Sequence, residues 1–341
     1  VVLNTQPTAN VTIGLSSSDL TEGTVSPASL TFTSVNWNTA QTVTVTGVDD
    51  SVDDGDIAYT IVTAAAASAD GNYNGLNASD VSVTSTDNDA AGFTVNPTSG
   101  LTTTEASATA TFTVVLTSQP TADVTIGLSS SDTTEGTVSP ASLTFTSVNW
   151  NAAQTVTTTG VDDAVDDGNI AYTIVTAAAG SADASYNGLD PGDVSGTNTD
   201  NDTAGITVNP TSGLVTTEAG GTAQFTIVLN SQPTADVTIA VSSSDTSEGT
   251  VLPAGLTFTS ANWNTAQTVT VTGVNDFVQD GNIAYSIATA AAASADATYN
   301  GVNPADVSVT NTDNDTAGIT VTPASGLVTT EAGGSDQFTV V

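Results

Sequence analysis

Three stretches of this chain are near-copies of one another, and that limits its fold before any residue is placed in a strand or a helix. Val1-Val2-Leu3 returns as Val114-Val115-Leu116 and as Ile227-Val228-Leu229, a spacing of 113 residues. Ser16-Ser17-Ser18-Asp19 returns at 129–132 and 242–245, Asn36-Trp37-Asn38 returns around Trp150 and Trp263, and Thr86-Asp87-Asn88-Asp89 returns at 199–202 and 312–315. Such a chain folds as like units, each meeting only its neighbours. Because 316–341 copies 203–228, the natural unit runs from just after one Asp-Asn-Asp to the next. The expected domains are 1–89, lacking its opening strands; 90–202; 203–315; and 316–341, the opening strands of a fourth. The absence of Met and the cut inside a strand at each end read as an internal or processed piece of something longer. The favoured reading is a window on a tandem array. The alternative is a fibre subunit polymerising head-to-tail, its 316–341 completing the first domain of another copy by strand complementation.

Within a copy the apolar residues alternate with period two. Phe112, Val114 and Leu116 lead to the turn Thr117-Ser118-Gln119-Pro120, and Val124, Ile126 and Leu128 follow it. Leu143 and Phe145 come after Pro140, Tyr172 and Ile174 after an acidic segment, and Val81 and Val83 close the first copy. Thr, Val and Ile between breaks of Gly, Pro, Asn, Asp and Ser mark strands. The alanine runs 64–67 and 290–293 have helical propensity but are too short to nucleate a helix. About seven short strands per copy predict an all-β fold of tandem immunoglobulin-like β-sandwiches. Trp37, Trp150 and Trp263 read as core plugs or strand-edge covers, with ligand contact the alternative.

The missing residue types exclude whole classes of function. The chain has 341 residues with 36 Asp and Glu and no Lys, Arg, His or Cys, for a net charge of -36. Without cations it has nothing to neutralise phosphates or anionic lipid, so nucleic-acid and membrane-surface binding are not expected. Thiolate and imidazole zinc sites, disulfides and Ser-His or Cys-His catalysis are unavailable. No apolar run reaches the ~20 residues of a membrane helix. Hydrophobic residues at 38% still allow modest cores, which argues against simple disorder.

The acids are concentrated. Asp49, Asp50, Asp53, Asp54 and Asp56 fall within nine residues between two alternating runs, so they occupy a loop joining two strands. The loop returns at 161–169 and, with Asn275 and Gln279 in place of acids, at 274–282. Carboxylates so close repel unless a cation sits among them, and the chain supplies none. Hard oxygen donors at this density suit Ca²⁺, which takes six to eight of them flexibly, better than Mg²⁺. If the loop meets the Asp-Asn-Asp at the same end of a sandwich, Asp162, Asp163, Asp166 and Asp167 lie near Asp200, Asn201 and Asp202. The plainer alternative is a solvated acidic loop that keeps the protein soluble. The outlying Asp70, Asp183 and Asp296 fit that description.

At this point a resemblance emerges. An acid opening a strand (Thr104-Glu105-Ala106), a Val-Asp-Asp loop (Val161-Asp162-Asp163) with further acids at Asp166 and Asp167, and a closing Asp200-Asn201-Asp202-Thr203-Ala204-Gly205 resemble the Calx-beta domain. That domain is a calcium-binding sandwich of sodium–calcium exchangers that is also found in large bacterial surface proteins. The resemblance implies Ca²⁺ ligands at Glu105, Asp162, Asp163, Asp167, Asp200, Asn201 and Asp202 in the second copy. It implies Asp49, Asp50, Asp54, Asp87 and Asp89 in the first, and Glu218, Asp276, Asp280, Asp313, Asn314 and Asp315 in the third. Glu331 would serve the segment 316–341. The sequence departs from the family where Asn88, Asn201 and Asn314 replace a closing Asp, and where Asn275 and Gln279 replace loop acids. A further family Asp has no clear match among Ser139-Pro140-Ala141. Fewer ions per copy are therefore expected, and fewest in the third.

Three function classes follow. The leading one is a calcium-rigidified structural repeat of an extracellular or cell-surface filament, sheath or adhesin stalk, expected to be bacterial, whose partners are neighbouring repeats or further copies of itself. The second is adhesion, with glycan or a surface binding the Thr-rich faces or Trp loops. Catalysis is the weakest, because a glycosidase needs two carboxylates in different environments across a cleft, whereas every acid here is repeated or belongs to the metal set.

Overall fold

Every regular element of the chain is a β-strand, in a computed structural model that describes residues 1–341. The alanine runs form no helix. Ala67–Ser68 and Ala293–Ser294 are two-residue strands pairing with Val11 and Thr12, and with Val237 and Thr238.

The second copy shows how the pattern becomes a sandwich. One sheet runs Gly136–Ser139, Gln154–Gly160, Thr109–Leu116, Phe93–Asn96. The other runs Ser142–Phe145, Val124–Ser130, Ile170–Thr176, Val194–Thr199, Leu101–Thr104, with the last pair parallel. The alternating residues face inward from both sheets: Phe112, Val114, Leu116 and Val156 meet Val124, Ile126, Phe145, Ile174 and Val194 in one core, the arrangement of an immunoglobulin-like β-sandwich. There are ten strands rather than about seven, one of them added because the opening segment splits. Pro97 cannot donate to the ladder, Gly100 turns the chain at φ 79°, and the strand leaves one sheet for the other. The third copy repeats these sheets, Gly249–Leu252 through Ile206–Asn209 and Gly255–Phe258 through Leu214–Thr217. The first copy holds one main sheet, Ser29–Phe32, Val11–Ser17, Ile57–Thr63, Val81–Ser85, beside the pair Gly23–Ser26 and Thr44–Gly47.

The chain parts into two compact units. One is Val1–Asp162 with Asn169–Thr199, and the other is Asp163–Gly168 with Asp200–Val341. Trp37, Trp150 and Trp263 pack partly buried against the three cores. Their backbone carbonyls accept the N–H of Leu3, Leu116 and Leu229 (3.0, 3.1 and 3.1 Å), so they plug the sandwiches.

No strand contains Asp or Glu. The strand faces are neutral, and the whole charge of the protein sits in its loops and segment ends. The outlying acids differ from the solvated reading: Asp70, Asp183 and Asp296 are only 5, 8 and 5% exposed. Asp183 takes the N–H of Thr121 (2.7 Å) and of Ser185 (2.9 Å), and Asp296 does the same for Thr234 and Thr298. Each fastens one loop to another. A buried carboxylate is tolerable here because backbone donors surround it.

Candidate metal centre

Local hydrogen bonds shape the acidic loop. Asp50 Oδ1 accepts the Val52 N–H (2.8 Å), a turn of Asx type. Gly55 holds φ 77°, a conformation costly for any side chain. That turn aims its N–H at Asp87 Oδ2 (2.7 Å), which also accepts the Asp54 N–H (3.1 Å). Asp87 Oδ1 accepts the N–H of Asp89 (2.8 Å). The same bonds recur as Val165 to Asp163, Gly168 to Asp200 and Asp202 to Asp200 (each 2.7 Å). In the third copy they run from Val278 to Asp276, Gly281 to Asp313 and Asp315 to Asp313 (2.7, 2.8 and 2.7 Å). The loop and the Asp-Asn-Asp therefore meet, and the first Asp of the triplet is what joins them.

Carboxylates converge around this frame. In the first copy Glu22, Asp50 and Asp54 each place an oxygen within 4.8 Å of the others. They line a cavity of ≈ 30 Å³ together with Asp49, Asp87, Asn88 and Asp89. The third copy carries two such groups, Glu248–Asp276–Asp280 and Glu218–Asp313–Asp315. In the latter, Glu218 Oε2 accepts the Asn314 N–H (3.0 Å), Asn314 Nδ2 donates to Asn275 Oδ1 (3.0 Å), and Asp315 Oδ2 is buried without a hydrogen-bond partner. Two ligands of one Ca²⁺ at the usual 2.3–2.6 Å stand at most about 5 Å apart, so each group fits a single ion. The partnerless Asp315 oxygen is a donor atom that the protein leaves for something else to satisfy.

The electrostatics agree. Burial, then Asp54, Asp19 and Asp50, raise the Glu22 carboxyl above its ordinary value. Burial and the charges of Asp50 and Asp87 raise Asp54; burial with Asp163 and Asp200 raises Asp167; and burial with Asp87 and Asp49 raises Asp89. Glu218 is pulled down by the Asn314 N–H, but burial with Asp313 and Asp276 outweighs this and leaves it raised. The linking Asp87 and Asp313 go the other way, lowered by the backbone donors at Asp89 and Gly55 and at Asp315 and Gly281. One set of acids is thus organised as charge, while the other is crowded and lacks a counter-charge.

The other expected ligands fall variously. Asp49 lines the first-copy cavity outside the three-acid group. In the second copy Glu105 is 2% exposed and donates its backbone N–H to the Thr199 carbonyl (3.2 Å). Asp163, Asp167, Asp200, Asn201 and Asp202 belong to one compact unit, and Glu105 and Asp162 to the other. Glu331 is exposed in the turn beside the Thr330–Gly334 bridge. Asn275 and Gln279 take the places of Asp49 and Asp53 of the first copy, acids that also stand outside its three-acid group, and the third copy keeps two groups of three acids.

Sequence reasoning missed Glu22, Glu135 and Glu248. They are 8, 6 and 6% exposed, and each stands before a glycine, Gly23, Gly136 or Gly249. A Cβ on Gly136 would lie 2.6 Å from the Tyr172 ring, so the glycine lets Tyr172 close over the strand and holds the glutamate at the loop. Glu135 Oε2 accepts from Asn198 Nδ2 (3.4 Å), and Glu248 Oε2 from Asn311 Nδ2 (3.3 Å). The available signal was the recurrence of Ser-Asp-x-x-Glu-Gly in every copy.

No protein-family model matches the chain, and no curated protein matches it. Among solved structures it is similar to CBD12 of CALX1.2 (13% identity, TM-score 0.29, over 60% of this chain and 82% of that one). It is also similar to the calcium-binding domain CBD12 of CALX1.1 (15%, 0.29, 59% and 80%). A third similarity is to domains 4 and 5 of the S-layer protein SbsC (15%, 0.26, 55% and 77%). What is established for this chain is a succession of β-sandwiches, and that assignment stands on its own strands and cores.

Proposed function

We propose that the chain is a length of Calx-beta-like sandwiches stiffened by Ca²⁺, with domains at 90–202 and 203–315 flanked by the partial domains 1–89 and 316–341. In this reading it serves as a structural spacer of an extracellular or cell-surface filament, sheath or adhesin stalk. The observation that carries the reading is the Glu218–Asp313–Asp315 group with its buried, partnerless Asp315 oxygen. Crowded acids, Glu22, Asp54 and Glu218 among them raised above their ordinary values, and no cation in the whole sequence describe a site built for an external positive ion. In the first copy the ligands are Glu22, Asp50, Asp54, Asp87 and Asp89. In the third they are Glu248, Asp276, Asp280, Glu218, Asp313 and Asp315. The bound ion supplies the missing counter-charge at the end of a sandwich, where the next begins. Its partners are neighbouring repeats or further copies, and near-identical units suit reach better than specific recognition.

Thermal unfolding of the full chain in Ca²⁺, Mg²⁺ and EDTA tests this. An ion that binds only the native state adds about 2.7 kcal/mol per site at 100-fold excess over Kd. The midpoint should therefore rise in Ca²⁺ well above EDTA, and less in Mg²⁺. Equal midpoints in Ca²⁺ and EDTA would leave the acids as solvated loops.

A further inference from the structure

One position of each loop lies outside the three-acid groups. Asp53 Oδ2 accepts the N–H of Ala91 (2.8 Å), and Asp166 Oδ2 that of Ala204 (2.7 Å). In the third loop the position is Gln279, whose Oε1 accepts the Ala317 N–H (2.6 Å). The recipient in every case is the alanine two residues after an Asp-Asn-Asp, where the following copy begins. Ala91 and Ala204 also pack against the cores of the second and third copies. A second contact accompanies the first: the carbonyls of Ser51 and Ala164 accept the N–H groups of Gln119 and Gln232 (both 2.6 Å). Ser185 Oγ of the second copy donates to the Asp53 carbonyl (3.1 Å).

The docked Gln119 loop is itself held firmly. The Tyr186 hydroxyl accepts the Ser118 N–H (3.0 Å) and donates to the Ser118 carbonyl (2.7 Å), and Asp183 takes Thr121. The loop of one copy therefore grips two points of the next, its opening alanine and its pinned Ser-Gln-Pro turn.

We infer that residues 53, 166 and 279 form an interaction surface that clasps each copy to the opening strand of the next, and that they do so as hydrogen-bond acceptors rather than as ion ligands. Gln279 is the reason to separate the two roles. An amide there keeps the bond to the next alanine while giving up the charge, so the position requires an oxygen and not a carboxylate. The replacement that looks like erosion of a calcium loop preserves the joint. The clasp needs no ion, which carries it beyond the calcium reading.

The test uses the full chain with Asp166→Asn and Asp166→Ala, in both EDTA and Ca²⁺. It reads amide hydrogen exchange at Ala204 by NMR and Ca²⁺ affinity by calorimetry. Losing one hydrogen bond corresponds to about tenfold in an opening equilibrium. Asp166→Ala should therefore speed Ala204 exchange about tenfold in either buffer, while Asp166→Asn changes it less than about threefold. Asp166→Asn should bind Ca²⁺ as the parent chain does. Asp53→Ala, read at Ala91, repeats the measurement in the first loop should Asp166→Ala fold poorly. Exchange in Asp166→Asn as fast as in Asp166→Ala would overturn the clasp, as would a tenfold loss of Ca²⁺ affinity in Asp166→Asn. The EDTA arm keeps this outcome separate from whether calcium binds at all.

Discussion

Replacing Tyr186 by Phe removes a single oxygen from a sealed polar contact of the second copy. Tyr186 is 1% exposed and Ser118 0%, so water cannot take the place of the lost hydroxyl. Its removal orphans the Ser118 N–H and C=O and takes a partner from Ser118 Oγ (2.9 Å). An unsatisfied buried group costs about 1–3 kcal/mol. With the Ser118 hydroxyl free to rotate toward one of them, the net loss is about 2–4 kcal/mol. For a domain of this size that is a fall of roughly 8–16 °C in its transition. Differential scanning calorimetry of the full chain reads it. Tyr73 and Tyr299 make the matching bonds in the other copies, so only one component of the trace should move. Exchange at the Gln119 N–H, bonded to Ser51 across the joint, should quicken with it. A shift under about 2 °C would mean that packing of the ring, and not the hydroxyl, holds the turn.

Two further outcomes follow from the same geometry. Gly136→Ala forces a methyl into the Tyr172 ring and should cost about 1–3 kcal/mol by overpacking, seen as a lowered denaturation midpoint, whereas Gly180→Ala, whose nearest atom is the Thr125 carbonyl oxygen at 4.0 Å, should be nearly silent. In EDTA, raised carboxyls at Glu22, Asp54, Asp167 and Glu218 make the folded state bind protons more tightly than the unfolded one. Stability should therefore rise as pH falls from neutral through their folded values toward the ordinary 4.5 and 3.8. Asp70, bonded to Thr8 and Asn72, has the opposite sign; so have Asp183 and Asp296, where backbone donors overcome burial. The contribution of these three is full above 3.8 and lost as pH drops through their lowered values. A calcium-free midpoint that peaks at mildly acidic pH, and flattens when Ca²⁺ is added, checks both signs. A midpoint that falls monotonically on acidification from neutral would contradict the crowding of the cluster.

The strands were legible in the sequence because burial on one face of a sheet writes itself as period two, and Phe112, Val114, Leu116, Val124 and Ile126 sit where that alternation puts them. The meeting of loop and Asp-Asn-Asp was also legible, since both lie at strand ends and recur together. Glu22, Glu135 and Glu248 recur too, but so does most of each copy, and recurrence alone does not separate a cluster acid from any other loop acid. The value of such a glutamate as a ligand depends on a glycine that lets a tyrosine approach from another strand. Asp183 looked like any loop acid until Thr121, far away in sequence, was seen to donate to it.

What the sequence determined by itself was composition and recurrence: an all-β chain of like units with dense acids and no cation to answer them. It could not divide those acids by task. That division is made by which neighbours each oxygen faces, and these come from distant strands and from the following copy. Asp87 ends among backbone N–H groups, Glu218 in crowded burial, and Asp166 against the next alanine. Three carboxyl-bearing residues thereby stand in three environments, and free energy depends on the environment of the oxygen and not on its residue type.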